Sequence, residues 1–235
     1  MELLFQDDAY ARSCEATVVA AAAEGIRLDR TVFYPTGGGQ PGDSGVLRLA
    51  DGSTIAIVDT RKGAGPDDVV HLPAEGAPLP PVGARVTAEI DWERRYAHMR
   101  IHTCLHLLCA AVDGPVTGGQ IGAGRGRLDF DLPETLDKAA LGEALNRLIA
   151  EDHPVRPRWI SDAEMDAQPG LVKTMSVTPP RGTGRVRLLE IEGVDLQACG
   201  GTHVAHTGEI GAVDVVKVEK KGRHNRRVVV AFREG

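Results

Sequence analysis

No uninterrupted apolar run in the 235 residues approaches the ~20 that a membrane-spanning helix requires. The opening segment Met1-Glu2-Leu3-Leu4-Phe5-Gln6-Asp7-Asp8 is too acidic, and its apolar run too short, for a secretory signal. The cytoplasm is therefore the expected compartment, with no membrane partner. Cysteine is scarce as well: there are four, two of them inside candidate ligand segments, which argues against a disulfide framework. A cationic surplus is also missing. The formal net charge is −6, which argues against a general RNA coat protein, because nonspecific affinity for nucleic acid rests on phosphate neutralisation. The glycine-rich run Thr36-Gly37-Gly38-Gly39-Gln40-Pro41-Gly42-Asp43 lacks a Walker Lys-Ser/Thr ending and no convincing helix follows it, so no nucleotide-binding module is apparent. Internal repeats and low-complexity tails are absent. What remains is an ordinary globular composition, 42% hydrophobic and 26% charged, with length for one large or two small domains.

Two half-sites of soft metal ligands stand far apart. His102-Thr103-Cys104-Leu105-His106 lies inside a run from Arg100 to Val112 with helical apolar periodicity and no Gly or Pro. Residues i and i+4 share a helix face, so His102 and His106 present their imidazoles to one point. Cys199-Gly200-Gly201-Thr202-His203 repeats the spacing, but its two glycines make it a loop. Alone, the first half reads more readily as a structural histidine pair and the second as an ordinary turn. Together they offer His, His, Cys and His, a set suited to one zinc ion. Cys104 sits about 200° round the helix from both histidines and should point away. Cys109 reads as a small core side chain.

The pieces Met99 to Leu108 and Cys199 to His203 resemble the zinc site of the alanyl-tRNA synthetase editing domain and of its free-standing relatives, the AlaX proteins. A third stretch, Phe33-Tyr34-Pro35-Thr36-Gly37-Gly38-Gly39-Gln40-Pro41-Gly42-Asp43-Ser44-Gly45, resembles the glycine-rich motif in the amino-terminal module of the larger AlaX class. The resemblance covers nearly the whole chain. It implies trans-editing: a zinc-dependent deacylase that hydrolyses the ester joining a wrong amino acid, chiefly serine and also glycine, to alanine tRNA. It also implies that the module bearing Gly37, Gly38 and Gly39 packs beside the zinc cleft and tunes selectivity.

The expected fold class is α+β, a small amino-terminal β-barrel over 1–92 packed on an α/β zinc-binding editing domain over 93–235. Short alternating stretches at 16–20, 31–34, 45–49, 54–58, 69–72 and 85–90 predict the barrel strands. A turn-rich connection covers 73–83. Beyond Trp92 the periodicity predicts the histidine helix, a helix over 134–150, a short one after the Ser161 cap signal, and strands over 185–191, 211–218 and 227–232. Between the half-sites, 116–130 predicts strands at either end and a central loop able to cross the cleft. In the synthetase editing domain a substrate-side glutamine occurs hereabouts; a gapless alignment on Arg127-Leu128-Asp129-Phe130 puts Gly118 there, and Gln120 is nominated as the polar cleft residue against the alternative of a surface amide.

Ester hydrolysis needs an activated water, a polarised carbonyl and a grip on the terminal ribose. A zinc with an open position serves the first two, whereas four protein ligands close a tetrahedral site. A pocket that bonds the seryl hydroxyl leaves polar groups unpaired with alanine, which gives large discrimination. Thr36, Thr103 and Thr202 are candidate partners, although Thr103 also reads as a helix residue facing its neighbours and Thr202 as a support for the ligand loop. Lys217, Lys220, Lys221, Arg223, Arg226 and Arg227 crowd the last twenty residues and are the expected contacts to the tRNA, against the alternative of ordinary surface charge. Arg181, Arg185 and Arg187, after Pro179-Pro180, form a second basic group. Two other readings stand beside the deacylase: a noncatalytic tRNA-binding module with a structural zinc, and a hydrolase of another aminoacyl-tRNA ester.

Overall fold

Strand patterning builds the first of the two units into which the chain divides, Met1–Tyr96 and Ala97–Gly235. The computed structural model describes residues 1–65, 67–175 and 184–233; the Pro179-Pro180 turn and Arg181 lie outside them. In the first unit the strands are β1 (Glu2–Leu3), β2 (Ser13–Ala22), β3 (Gly25–Leu28), β4 (Arg30–Thr31), β5 (Gly45–Leu49), β6 (Thr54–Lys62), β7 (Val69–Pro73) and β8 (Arg85–Ile90). Six of them close a barrel in the order β2-β3-β7-β6-β5-β8. Alternation sets its inside: Ile55 and Ile57 of β6 and Val86, Ala88 and Ile90 of β8 are buried while their neighbours are more exposed. They pack with Val18, Ile26, Leu28 and Leu47, and full burial of each large aliphatic side chain contributes roughly 1.5–3 kcal/mol.

Two departures from the sequence pattern have physical causes. The expected strand over 31–34 shrinks to its first residue, because side chains capture the next backbone donors: Phe33 N donates to Thr31 Oγ1 (3.0 Å) and Tyr34 N to Asp43 Oδ2 (2.7 Å). Strand β3 goes unannounced because four residues, Gly-Ile-Arg-Leu, are too few for a period to show. Glycine is required at Gly45, where a Cβ would stand 2.1 Å from the Glu89 carbonyl oxygen.

The second unit contains most of α1 (Trp92–Ala111), which starts in the first. It continues with β9 (Val116–Ile121), β10 (Arg125–Asp131), α2 (Lys138–Ala150), β11 (Val155–Ser161), α3 (Asp162–Asp166), β12 (Arg185–Ile191), β13 (Asp195–Ala198), β14 (Val213–Lys220) and β15 (Asn225–Phe232). A four-stranded antiparallel sheet runs β14-β15-β10-β9 and a three-stranded one β11-β12-β13. Gly126 lets α1 approach the larger sheet, since a Cβ there would lie 2.6 Å from Ile101 Cγ2. Helix α2 begins at Lys138 rather than 134, because Asp137 caps it by accepting from Ala139 N and Ala140 N. Ser161 and Glu164 form the capping box that starts α3. Strand β11 carries Pro157 and lies at a sheet edge, where a missing N–H is tolerated. Among the described residues no helix is long and apolar enough to cross a membrane.

Candidate metal site

His102 and His106 stand one turn apart on α1 with ring centroids 5.3 Å apart, and His203 lies 4.1 Å from the first ring and 4.8 Å from the second. Cys199 Sγ is 3.2 Å from His203 Nε2 and 3.6 Å from His102 Nε2. One ligand atom from each of the four lies within 4.8 Å of all the others. Bonds of 2.0–2.3 Å in a tetrahedron place ligand atoms about 3.3–3.7 Å apart; the Cys199–His102 distance falls inside that range, the Cys199–His203 distance just below it, and the 4.8 Å spread of the whole set above it.

Local folding explains the convergence. Cys199 N donates to Arg187 O (3.1 Å), extending the ladder at the end of β13. The Arg187 guanidinium, buried despite its charge, donates from Nη1 to the carbonyls of Cys199 and Gly201, both at 2.9 Å, and so curls the loop. Thr103 Oγ1 donates to Met99 O (2.9 Å), accepts from Val204 N (3.3 Å) and lies 3.2 Å from His203 Nδ1. With its one hydrogen committed to Met99, the hydroxyl can only accept from the imidazole. His203 is thereby held as the Nδ1–H tautomer, its Nε2 lone pair facing Cys199. His106 Nδ1 lies 3.2 Å from Asp195 Oδ2. That carboxylate also receives Gln197 Nε2 (2.6 Å) and Lys173 Nζ (2.5 Å).

Charge is redistributed within the cluster. Burial opposes ionisation of the Cys199 thiol, but the imidazoles of His102, His203 and His106 together draw it well below the ordinary range. Burial likewise opposes protonation of His106; the Cys199 charge and the Asp195 hydrogen bond outweigh it and lift this group to about 9. Burial and the neighbouring His102 push His203 well down. Cys104 and Cys109 are raised to about 12, chiefly by burial. Of the four cysteines, Cys199 alone is tuned towards thiolate, the form that binds metal.

The other nominated residues are not in this cluster. Gln120 is exposed on β9 and accepts from Arg127 Nε (3.3 Å). The stretch expected to loop across a cleft is instead a tight hairpin, turning where Gly122 N donates to Arg125 O. Gln120 lines an open depression of about 420 Å³ with Arg125, Arg127, Lys217, Glu219 and Arg227. Lys217 and Lys221 pair with Glu219 (2.5 and 3.4 Å), and Arg227 pairs with Asp129 (2.7 Å). Lys220 and Arg223 are exposed. Arg226 departs from the surface reading: it is buried and donates to the carbonyls of Glu134 (2.7 Å), Gly222 (3.1 Å) and Pro133. Arg185 stacks its guanidinium over the Trp159 ring at 4.1 Å. Thr202 is wholly buried.

Thr36 and the three glycines belong to the first unit. There Thr36 Oγ1 accepts from Gly42 N (2.8 Å), Tyr34 Oη donates to Gly37 O (2.8 Å), and Gly37 and Gln40 exchange backbone bonds (3.0 Å each). Gly38 and Gly39 take φ of 57° and 81°, the left-handed region that glycine allows.

Sequence reasoning missed Asp195, Lys173 and Gln197, and it counted Arg187 only in the second basic group. An arginine inside the otherwise apolar run Val186 to Leu189 was a signal for the last. Nothing local marks Lys173, which meets Asp195 only through the tertiary fold.

Residues 186–229 match the family model described as the threonyl and alanyl tRNA synthetase second additional domain. Residues 6–94 match that of class II (A) tRNA synthetases. The chain is 38% identical, over 97% of its length and 97% of the relative's, to the alanyl-tRNA editing protein AlaX-M of Methanosarcina acetivorans. It is 39% identical to that of Methanosarcina mazei, over 97% and 94%. The alanine–tRNA ligase of Sulfurisphaera tokodaii is 36% identical over 92% of the chain, but that match spans only 24% of the ligase.

Proposed function

The chain belongs to the AlaX-M family of alanyl-tRNA editing proteins, and from that premise we propose that it is a trans-editing hydrolase. It removes a wrong amino acid, chiefly serine and also glycine, from alanine tRNA. The observation that carries this reading is the donor set of buried His102, His106 and His203 with partly buried Cys199, gathered within 4.8 Å in a chain collinear with those relatives.

Three nitrogens and a thiolate sulfur suit zinc rather than a hard cation. When bound, zinc supplies Lewis-acid polarisation of an ester carbonyl or a fixed point for the substrate. The chain's own residues keep that donor set ready. The Thr103 hydroxyl and the Asp195 carboxylate hold protons on the outer nitrogens of His203 and His106, so the inner nitrogens are the ones that would face a metal. Arg187 holds the loop that carries Cys199 and His203. Because its hydroxyl is committed to Met99, Val204 and His203, Thr103 serves the ligand shell rather than the seryl group.

Arg125, Arg127, Lys217 and Arg227 line the depression beside Gln120, and Lys220, Lys221 and Arg223 are exposed at the β14–β15 turn, local cationic groups on an anionic chain. We assign them to tRNA phosphates, with Gln120 among the polar groups of the depression. Arg226 is left out because its donors are committed to backbone carbonyls.

The completeness of the four-residue set favours one second reading, a noncatalytic tRNA-binding module with a structural zinc. Incubating the purified protein with serine-charged alanine tRNA separates the two. Release of serine above the protein-free rate supports the hydrolase, and tight binding without release by a zinc-loaded sample supports the module.

A further inference from the structure

We propose that Asp195, buttressed by Lys173 and Gln197, is a positioning residue that fixes the His106 imidazole and sets the metal affinity of the cluster. The inference rests on the metal-site reading above and names a residue outside the four ligands.

Asp195 has no solvent-exposed side-chain surface. An ionised carboxylate in such a place costs several kcal/mol unless its oxygens are satisfied. Both are: Oδ1 takes Lys173 Nζ at 2.5 Å, and Oδ2 takes Gln197 Nε2 at 2.6 Å and His106 Nδ1 at 3.2 Å. An ammonium only donates, and so does the amide nitrogen. The carboxylate is therefore the acceptor of all three hydrogen bonds, and the one from His106 is an N–H donation. Nδ1–H is thereby fixed on the carboxylate, which leaves Nε2 as the nitrogen that would give up its proton to take the metal. His203 is held in the same sense by a neutral hydroxyl, whereas His106 faces a full charge, which makes it the more basic donor.

Lys173 is placed by the sheet. Val116 N at the start of β9 donates to Lys173 O (3.1 Å) and Met175 N donates to Val116 O (2.8 Å), so the strand edge fixes this segment. Its ammonium, on a side chain 35% exposed, balances the buried carboxylate from the solvent side. None of these three side-chain bonds ties β13 to another strand of its sheet. They converge instead on one carboxylate that touches the ligand His106, at a core position that an apolar residue would fill with less penalty.

The test uses the full chain. Zinc affinity is measured by competition with a chromophoric chelator, and the d–d absorption of the cobalt-substituted protein is recorded, for the wild type, Asp195→Ala, Asp195→Asn and Lys173→Met. Thermal unfolding of the metal-free proteins controls for general damage. Asp195→Ala is expected to weaken zinc about 10–100-fold and to shift the cobalt bands. Asp195→Asn keeps an oxygen able to accept the Nδ1 proton and recovers part of the loss. Lys173→Met falls between the wild type and Asp195→Ala. Should the alanine protein fail to fold, the asparagine protein decides. An unaltered cobalt spectrum with zinc affinity within about twofold of the wild type, in either Asp195 variant, overturns the proposal. A wild type that binds neither ion overturns the metal-site reading, and this proposal with it.

Discussion

Asp43 and Arg95 form an ion pair in which neither side chain has any solvent exposure. Arg95 Nε donates to both carboxylate oxygens (3.1 and 3.0 Å), its Nη1 to Ala9 O (3.0 Å) and its Nη2 to Val32 O (2.6 Å). Asp43 accepts in turn from Tyr34 N (2.7 Å), and its backbone carbonyl takes the Thr60 hydroxyl (2.8 Å). The aspartate that ends the glycine-rich motif is thus the anchor that closes the loop. Removing one partner leaves a buried charge uncompensated. Arg95→Met should lower the unfolding free energy by roughly 3–5 kcal/mol, measured by urea titration. A loss below about 1 kcal/mol, the scale of an exposed pair, would contradict this account.

His71 gives the barrel a dependence on pH. The side chain is buried, with Nδ1 3.0 Å from Ile26 O and Nε2 2.8 Å from Thr31 Oγ1. Burial, only partly opposed by the Ile26 bond, pushes its pKa down to about 4. In the unfolded chain it titrates near ~6.5, so between those values the unfolded state binds the extra proton. Stability from this group is complete above about pH 6.5 and falls as pH drops towards about 4. From pH 7 to pH 5 the loss should be roughly 2 kcal/mol. His71→Gln should show a flatter profile in urea titrations across that range, and an identical slope in both proteins would remove His71 as the cause.

Zinc content should divide the cysteines. Cys199→Ala removes the only thiol drawn towards thiolate and should lose most of the metal, with destabilisation of the second unit because binding energy is partly folding energy. Cys104→Ala leaves the ligand set whole. It should retain stoichiometric metal and cost about 1 kcal/mol of stability for the small cavity. Elemental analysis of the purified variants checks both. Normal zinc in the Cys199→Ala protein sinks the ligand assignment.

The basic surface yields a contrast between neighbours. Replacing Lys220, Lys221 and Arg223 together by Ala should weaken tRNA binding and reduce the salt slope by roughly 0.7–0.9 for each phosphate no longer neutralised. Arg226→Ala should act elsewhere, lowering the melting temperature because the carbonyls of Pro133, Glu134 and Gly222 lose their donor. Filter binding over a salt series, with calorimetry of the same samples, tells the two effects apart. Equal reductions of salt slope in both variants would contradict the division.

Legibility followed the range of the interactions. The i,i+4 histidines and the glycine-broken Cys199–His203 spacing constrain geometry within a few residues, so the sequence alone indicates where those side chains point. The barrel strands show where inward and outward residues alternate, as in β6 and β8. Strands β3 and β13 are too short for a period, and Pro157 masks β11. Glycines around Gln120 read as a loop, yet Gln120 lies within β9, and of the glycines in this hairpin Gly126 on β10 is the one that meets α1. Arg226 looked like surface charge among charged neighbours, and only the fold reveals that its fork is filled by carbonyls. Asp195 and Lys173, 22 residues apart, leave no local mark at all.

Selective editing is the role we propose for the His102, His106, Cys199 and His203 cluster. The most direct test measures hydrolysis of serine-charged and alanine-charged alanine tRNA by the wild type and by Cys199→Ala, with zinc determined on the same samples. The zinc-loaded wild type is expected to release serine rapidly and spare alanine, and the metal-depleted variant to release neither above the uncatalysed rate. Equal hydrolysis of both esters by the wild type, or undiminished serine release by the depleted variant, would contradict that role.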